Sequence, residues 1–209
     1  MGFCLFNNVA VVARHLQRAR GIERVLIVDW DVHHGNGTQN TFYDDHSVMY
    51  VSTHQYPFYP GTGSAAELGA GSAAGYNVNV PMSAGSADAE YFAAFRDLIV
   101  PIARRFRPQF VLVSAGYDAH RDDPLASMLL TSAAYGELTN ALVEVADEHA
   151  DGRILLLLEG GYDLMALTES VHQSVERLRE PAPFRRSEGE LSGWARQAAE
   201  AAAAYWDRA

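Results

Sequence analysis

The sequence predicts a three-layer α/β protein built on a doubly wound parallel sheet, and three observations predict it. Short runs of unbroken apolar residues recur along the chain, at Val25–Val28, Val48–Val51, Phe110–Val113 and Ile154–Leu158, as expected of strands buried on both faces. Stretches of helical spacing separate them, the signature of right-handed strand–helix–strand crossovers. Several of the runs end abruptly in polar residues, and the ligand crevice of such sheets lies outside the carboxyl ends of the strands.

From Asn7 to Arg20, Val9, Val12, Ala13 and Leu16 follow helical spacing, with Asn7 or Asn8 as N-cap and Gly21 as stop. The first strand, Arg24–Asp31, leads into His33, His34 and a Gly35-Asn36-Gly37 turn. A short helix is expected over Thr38–Tyr43, then a strand over Val48–Thr53 ending at His54. Residues 56–75 form the longest irregular stretch, and loops of this length are rare in compact domains unless they do something. Within it Phe58 and Tyr59, clamped between Pro57 and Pro60, read as a rigid wall. Tyr76–Val80 is a strand stopped by Pro81, and Ala87–Phe106 a helix with Tyr91, Phe92, Phe95, Leu98, Ile99 and Ile102 on one face. Arg104, Arg105 and Arg107 near its end complement the helix dipole. Phe110–Ser114 and Ile154–Leu158 are further buried strands, with helices over Thr131–Ala150 and Asp163–Arg179. Pro181 and Pro183 break the chain before an Ala-rich helix, Ser187–Trp206. No repeat is present.

The whole-chain quantities bound the function. At 209 residues and 48% hydrophobic, the chain can bury one sizeable core. A net charge of −10 offers no counterion-release affinity for nucleic acid, so direct DNA or RNA binding is not expected. Cys4 is the single cysteine, which excludes an internal disulfide and fits a reducing compartment. No apolar run reaches the ~18 residues of a membrane helix, and no signal-peptide pattern opens the chain, so the cytoplasm is the expected location. The chain opens on MGFCLFNNVA, with no strand or cap before it, as if in the middle of a domain.

Chemistry concentrates at the strand ends. On a regular strand Asp29, Asp31 and His33 share one face, opposite Trp30 and Val32. Alternate residues there stand roughly 6.6 Å apart, and zinc takes its oxygen and nitrogen ligands at about 2.0–2.2 Å. Only Asp31 and His33, where the strand bends into the turn, can therefore meet on one ion. Asp29 lies deeper, as an orienter behind them or a ligand to another cation. Asp118, after the third run, supplies a third oxygen or nitrogen ligand, and three protein ligands with an open position mark a catalytic zinc site. Tyr162 follows Gly160-Gly161 at the end of the fourth run, where its phenol can donate to a developing oxyanion.

GFCLFNN, VLIVDWDVHHGNGTQ, YPGTG, VSAGYDAHRDDPL and LEGGYDL together resemble the histone deacetylase family, most of all its class II-like bacterial amidohydrolases, acetylpolyamine deacetylases among them. The likeness runs in order over about residues 1–180, leaving 181–209 as a Pro break and terminal helix. It implies the arginase/deacetylase fold without its first strands and one Zn2+ held by Asp31, His33 and Asp118. It further implies Tyr162 as the transition-state tyrosine, with Asp29 and Asn36 at positions that orient the family's paired catalytic histidines. Asp29, Asp31, His33, Ser52 and Thr53 match one site for K+ or Na+, and Phe42, Asp45, Val48 and Tyr76 a second. Gly2, Phe3, Tyr59 and Leu125 match the lining of an acyl channel, completed by Gly160 and Gly161. The implied partner is an acylated amine, acetyl-lysine or an acetylpolyamine.

The family's Pro-Gly-His-His segment, which carries the general base, does not occur in this sequence. His33-His34 is no substitute on this reading, since His33 is a ligand and His34 faces the other way. An impaired deacetylase is therefore expected, with a non-catalytic metal-binding fragment or interaction module as the alternative. Missing strands would also expose an apolar edge, so self-association is expected. A binuclear manganese ureohydrolase is a minor alternative. Asp118-Ala119-His120-Arg121-Asp122 fits its motif, but LEGGYDL stands where a second D-x-D is needed.

Overall fold

A computed structural model describes residues 5–185, 189–191 and 193–206. Five parallel strands form one sheet in the order β3-β2-β1-β4-β5. They are β1 (Val25–Asp29), β2 (Val48–Gln55), β3 (Asn77–Met82), β4 (Phe110–Ala115) and β5 (Ile154–Leu158). The chain winds outward from β1 through β2 to β3, then returns to lay β4 on the other side of β1. Between β1 and β4 the connections leave in opposite directions, so this is where a crevice opens at the carboxyl ends.

β1 is buried throughout, and its alternating residues feed two cores. Leu26 and Val28, continued by Trp30 and Val32, join the larger core, while Val25 and Ile27 join the smaller. The larger core lies under helices α3 (Asp88–Ala94), α4 (Val100–Phe106), α5 (Ser132–His149) and α7 (Gly193–Trp206). The smaller is closed by α1 (Asn8–Arg20) and by Phe42 of α2 (Asn36–Phe42). Asn7 caps α1 by accepting from Ala10 N, and Thr131 caps α5 by accepting from Ala134 N. Asp163 caps α6 (Leu164–Arg179), which lies along α5.

Four expectations need correction. β3 does not stop at Pro81 but runs through it to Met82, and its place at the edge of the sheet, paired among the described residues with β2 alone, tolerates the missing N–H. The helix expected over Ala87–Phe106 is interrupted by a π-helical turn at Phe95–Ile99, just before Pro101. Proline has no N–H and crowds the preceding carbonyls, so the regular ladder cannot pass through it. β5 is not buried on both faces: among the described residues it is one of the sheet's two edge strands, with Leu155 at 41% and Leu158 at 63% exposure. Arg104 does more than complement a dipole, since it bonds Glu148 Oε1 at 2.6 Å and reaches Glu144 of α5. The expected helix start at Ser187 and the channel residues Gly2 and Phe3 lie outside the described residues.

Candidate metal centre

β1 ends at Asp29, and residues 31–33 form a bend. Two backbone hydrogen bonds make the bend: Asp31 N donates to Asp29 Oδ1 at 3.2 Å, and His33 N to Asp31 Oδ1 at 2.8 Å. The bend folds Asp31 and His33 towards each other while Trp30 and Val32 stay in the core. From β4, Asp118 enters fully buried, and Val32 N donates to its Oδ1 at 2.8 Å. His33 Nδ1 then lies 3.0 Å from Asp31 Oδ1 and 3.2 Å from Asp118 Oδ2. One ligand atom from each of the three residues lies within 4.8 Å of the others.

Asp118 Oδ2 is buried, with no donor aligned on it. Gly160 N donates to Asp31 Oδ2 at 3.3 Å, and a Cβ at Gly160 would collide with Asp118 Oδ2. The space beside the carboxylates is thus kept free of side chains. A buried carboxylate oxygen whose one polar neighbour is the His33 imidazole, with a second carboxylate beside it, suits a divalent ion of borderline softness. The residues present fit zinc.

The charge around the cluster points the same way. Burial pushes the His33 imidazole down, but its bonds to Asp118 and Asp31 outweigh this and raise its pKa to about 10. Burial and the neighbouring Asp31 charge raise Asp118 to about 7, against its bonds to His33 and Val32. Burial and the charges of Glu159 and Asp31 hold the Asp29 carboxyl well above the usual range, despite a 2.8 Å bond from the Tyr50 hydroxyl. Burial and Asp31 raise Glu159 as well. A cavity of about 530 Å³ opens here, lined by Asp29, Asp31 and Glu159, and no lysine or arginine lines it among the described residues.

The same cavity is walled by Phe6, Tyr59, Leu125, Gly160 and Tyr162. Tyr162 is 37% exposed at the rim, its backbone N–H held by Asp123 Oδ2 at 2.8 Å. Phe58 stacks on the His33 ring at 5.4 Å between centroids. A Cβ at Gly161 would run into Leu167 and Tyr117. His34 departs from expectation: it lines the cavity instead of facing away. Strand alternation does not extend into the bend, and Thr62 Oγ1 at 2.7 Å and Gln39 Oε1 at 3.0 Å engage its two ring nitrogens.

Of the first cation set, Ser52 and Thr53 are fully buried on β2, with Ser52 Oγ bonded to His54 Nδ1 at 2.9 Å. The second set lies around the α2–β2 junction: Phe42 O accepts from Asp45 N, Asp45 O from Val48 N, and Tyr76 O from Tyr50 N. Arg14 pairs with Asp45 at 2.5 Å. Asn36 Oδ1 is buried without a hydrogen-bond partner. Glu159 and Tyr50 were missed in the sequence, as were the amides of Gln39, Asn77 and Asn79. Tyr50 did carry a signal there, by sharing a strand face with Ser52 and His54.

A family model described as histone deacetylase domain matches residues 1–178. Histone deacetylase 14, chloroplastic, of Arabidopsis thaliana is 47% identical over 178 residues, covering 85% of this chain and 42% of that protein. A probable deacetylase of Archaeoglobus fulgidus is 45% identical over 163 residues, covering 78% of this chain and 45% of that protein. Among solved structures, the HD domain of HDA15 superposes with a TM-score of 0.88 at 41% identity, over 99% of this chain and 57% of that one. The histone deacetylase Clr3 gives 0.86 at 42% identity, over 97% and 35%. The chain spans less than half the length of these two curated relatives.

Proposed function

The chain belongs to the histone deacetylase family, and from that premise we propose that it is the metal-holding part of a zinc-dependent amidohydrolase acting on acylated lysine side chains or small acylated amines. The Asp31–His33–Asp118 cluster, opening onto one cavity with Tyr162, carries this proposal. A bound zinc ion would polarise the amide carbonyl and bring the pKa of a water towards neutrality. The chain's own residues do the rest. Asp31 and Asp118 are aimed by Gly160 N and Val32 N, and His33 is fixed between them. Tyr162 donates a hydrogen bond to the carbonyl oxygen as negative charge develops there. Tyr59 and Leu125 flank an extended methylene chain and exclude water from it.

Asp29, Asp31, His33, Ser52 and Thr53 hold K+ or Na+ in this proposal. The second set is the weaker candidate, since Arg14 already supplies positive charge at Asp45. The acidic chain acts on an amine-bearing substrate, without nucleic acid or membrane as partner. A cytoplasmic location rests on the sequence alone, and the Arabidopsis relative is named as chloroplastic. Among the described residues no helix is long and apolar enough to cross a membrane. Leu5 at 95%, Phe6 at 77% and Leu158 at 63% exposure support self-association, and a clean monomer by light scattering would count against it.

One observation favours a slow or non-catalytic form of this chain. Asp29 is engaged by Tyr50 and Asp31 N, Asn36 Oδ1 has no partner, and the two cavity histidines are committed elsewhere. No general base stands over the cluster among the described residues, and such a base contributes about 10²–10⁴-fold. The test is acetate release from an acetyl-lysine peptide, with and without a zinc chelator. The expected result is chelator-sensitive release, slower than a full-length relative by about that factor. Release indifferent to chelation would sink the metal role, and a rate within about tenfold of the relative would sink the impairment. The family assignment removes the ureohydrolase alternative. His120, from its motif, bonds Ser132 Oγ at 3.0 Å instead.

A further inference from the structure

Behind the cavity wall lies a closed ring of polar contacts. Gln39, on α2, turns its amide nitrogen to Glu67 Oε2 at 2.5 Å. Its amide oxygen accepts from Asn77 Nδ2 at 2.9 Å and Asn79 Nδ2 at 2.8 Å, both on β3. That orientation fixes the proton on His34: with Gln39 Oε1 facing it at 3.0 Å, His34 Nε2 must donate, leaving Nδ1 to accept from the Thr62 hydroxyl. The other oxygen of Glu67 accepts from Gly63 N at 3.2 Å and Ser64 N at 3.0 Å, next to Thr62. His54 Nε2 donates to Gly63 O at 2.9 Å, and a Cβ at Gly63 would strike both His54 and His34. His34, Gln39, Asn77 and Asn79 are all buried.

The ring joins two things that meet at His33. One side is His34, the next residue in the chain. The other is the loop whose Phe58 stacks on the His33 ring and whose Tyr59 walls the cavity. We propose that Glu67, acting through Gln39 and His34, is a positioning residue that clamps this loop so that Phe58 holds the His33 ring in its ligating plane. This rests on His33 being a metal ligand, as proposed above.

Donor and acceptor roles make the clamp testable. In Glu67→Gln, an amide oxygen left on Gly63 N and Ser64 N puts an NH2 against the Gln39 NH2. Rotating Gln39 to accept would turn its own NH2 onto the Asn77 and Asn79 NH2 groups, and flipping those asparagines would set their oxygens against the Glu67 and Ser64 carbonyls that their NH2 groups now serve. One mismatch therefore survives in either orientation. The swap Gln39→Glu with Glu67→Gln removes it. A carboxylate on α2 then accepts from the asparagines, from His34 and from the new amide NH2 across the ring.

Three readouts in the 209-residue chain decide the matter: amide exchange at Gly63 and Ser64, the His33 ring-proton shift set by the stacked Phe58, and zinc affinity by chelator competition. Glu67→Gln should speed exchange about tenfold, the effect of one lost hydrogen bond. It should also move the His33 shift and weaken zinc about tenfold, as changes to a ligand's support do. The swap should return all three to the original values. An unchanged His33 shift in Glu67→Gln, or a swap that fails to restore it, would overturn the clamp. If Glu67→Gln does not fold by circular dichroism, the swap alone decides, because it must behave as the original chain. Failure of the original chain to take up zinc would count against the metal proposal only, and the His33 shift would still judge the clamp.

Discussion

His33 and His34 are adjacent in the chain, line one cavity, and have opposite environments. His33 sits between two carboxylates, and its bonds to them overcome burial and raise its pKa to about 10. His34 sits among a threonine and an amide, where burial outweighs its bond to Gln39 and lowers its pKa. Behind it, burial and the nearby His34 bring His54 down to about 3. One step along a bend separates a cation-seeking imidazole from one held neutral as part of a scaffold. Residue type does not make a metal site; the partners the backbone brings to it do.

The contrast breaks most completely at Asp118. Asp118→Asn removes the charge that faces His33, and zinc affinity should fall by more than about a hundredfold, the upper end of what altering a ligand's support costs. Calorimetric titration checks this, and zinc-dependent turnover should vanish with it. Tyr162→Phe should lower turnover by about 10²–10³-fold, the scale of one oxyanion donor. Zinc affinity should not change, which separates the rim from the cluster in a single kinetic and titration series. Gly160→Ala should weaken zinc about tenfold by pushing a methyl group against Asp31 and Asp118 while leaving the His34 side untouched, as chelator competition will report.

The smallest effect is in stability against pH, and its sign differs between the two sides. In the metal-free chain His33 holds its proton up to about 10. Its contribution is complete below the unfolded value, about 6.5, and is lost as pH rises from there through 10. His54 stays neutral down to about 3. The unfolded chain takes up that proton first, so its contribution is present above about 6.5 and lost as pH falls towards 3. Each limb has a slope of at most about 1.4 kcal/mol per pH unit. Raised carboxyls, Asp118 at about 7 among them, pull against the acid limb, so the informative quantity is the difference between variant and original chain. Denaturant titrations should show His33→Gln flattening the alkaline limb and His54→Asn the acid limb. Saturating zinc should abolish the alkaline limb in the original chain, because a ligand imidazole must be deprotonated.

Much of this was legible in the sequence, and what was not has physical reasons. Apolar runs and caps marked four of the strands and the long helices, because local pattern determines them; the alternating β3 runs on through Pro81, which an edge strand tolerates. The run Ile154–Leu158 gave no hint of being an edge, since five apolar residues read alike at the centre and margin of a sheet, and placement is non-local. Pro101 was visible, but the helical spacing of Tyr91, Phe92, Phe95, Leu98, Ile99 and Ile102 runs on across the π-helical turn and gave no sign of it. Asp31, His33 and Asp118 were legible as candidates because strand ends in such a sheet converge. His34 was misplaced because strand alternation was carried past the end of β1 into the bend. Asn77 and Asn79 carried an unread signal: two amides two residues apart in a buried strand need partners on one face.

The most direct measurement is zinc binding to the metal-free chain, followed by calorimetry and by the His33 ring signals, in the original sequence and in Asp118→Asn. The original chain should bind one zinc and lose the His33 ring proton on binding, and the variant should do neither. Two metal ions per chain, or one bound equally well without the Asp118 carboxylate, would contradict it.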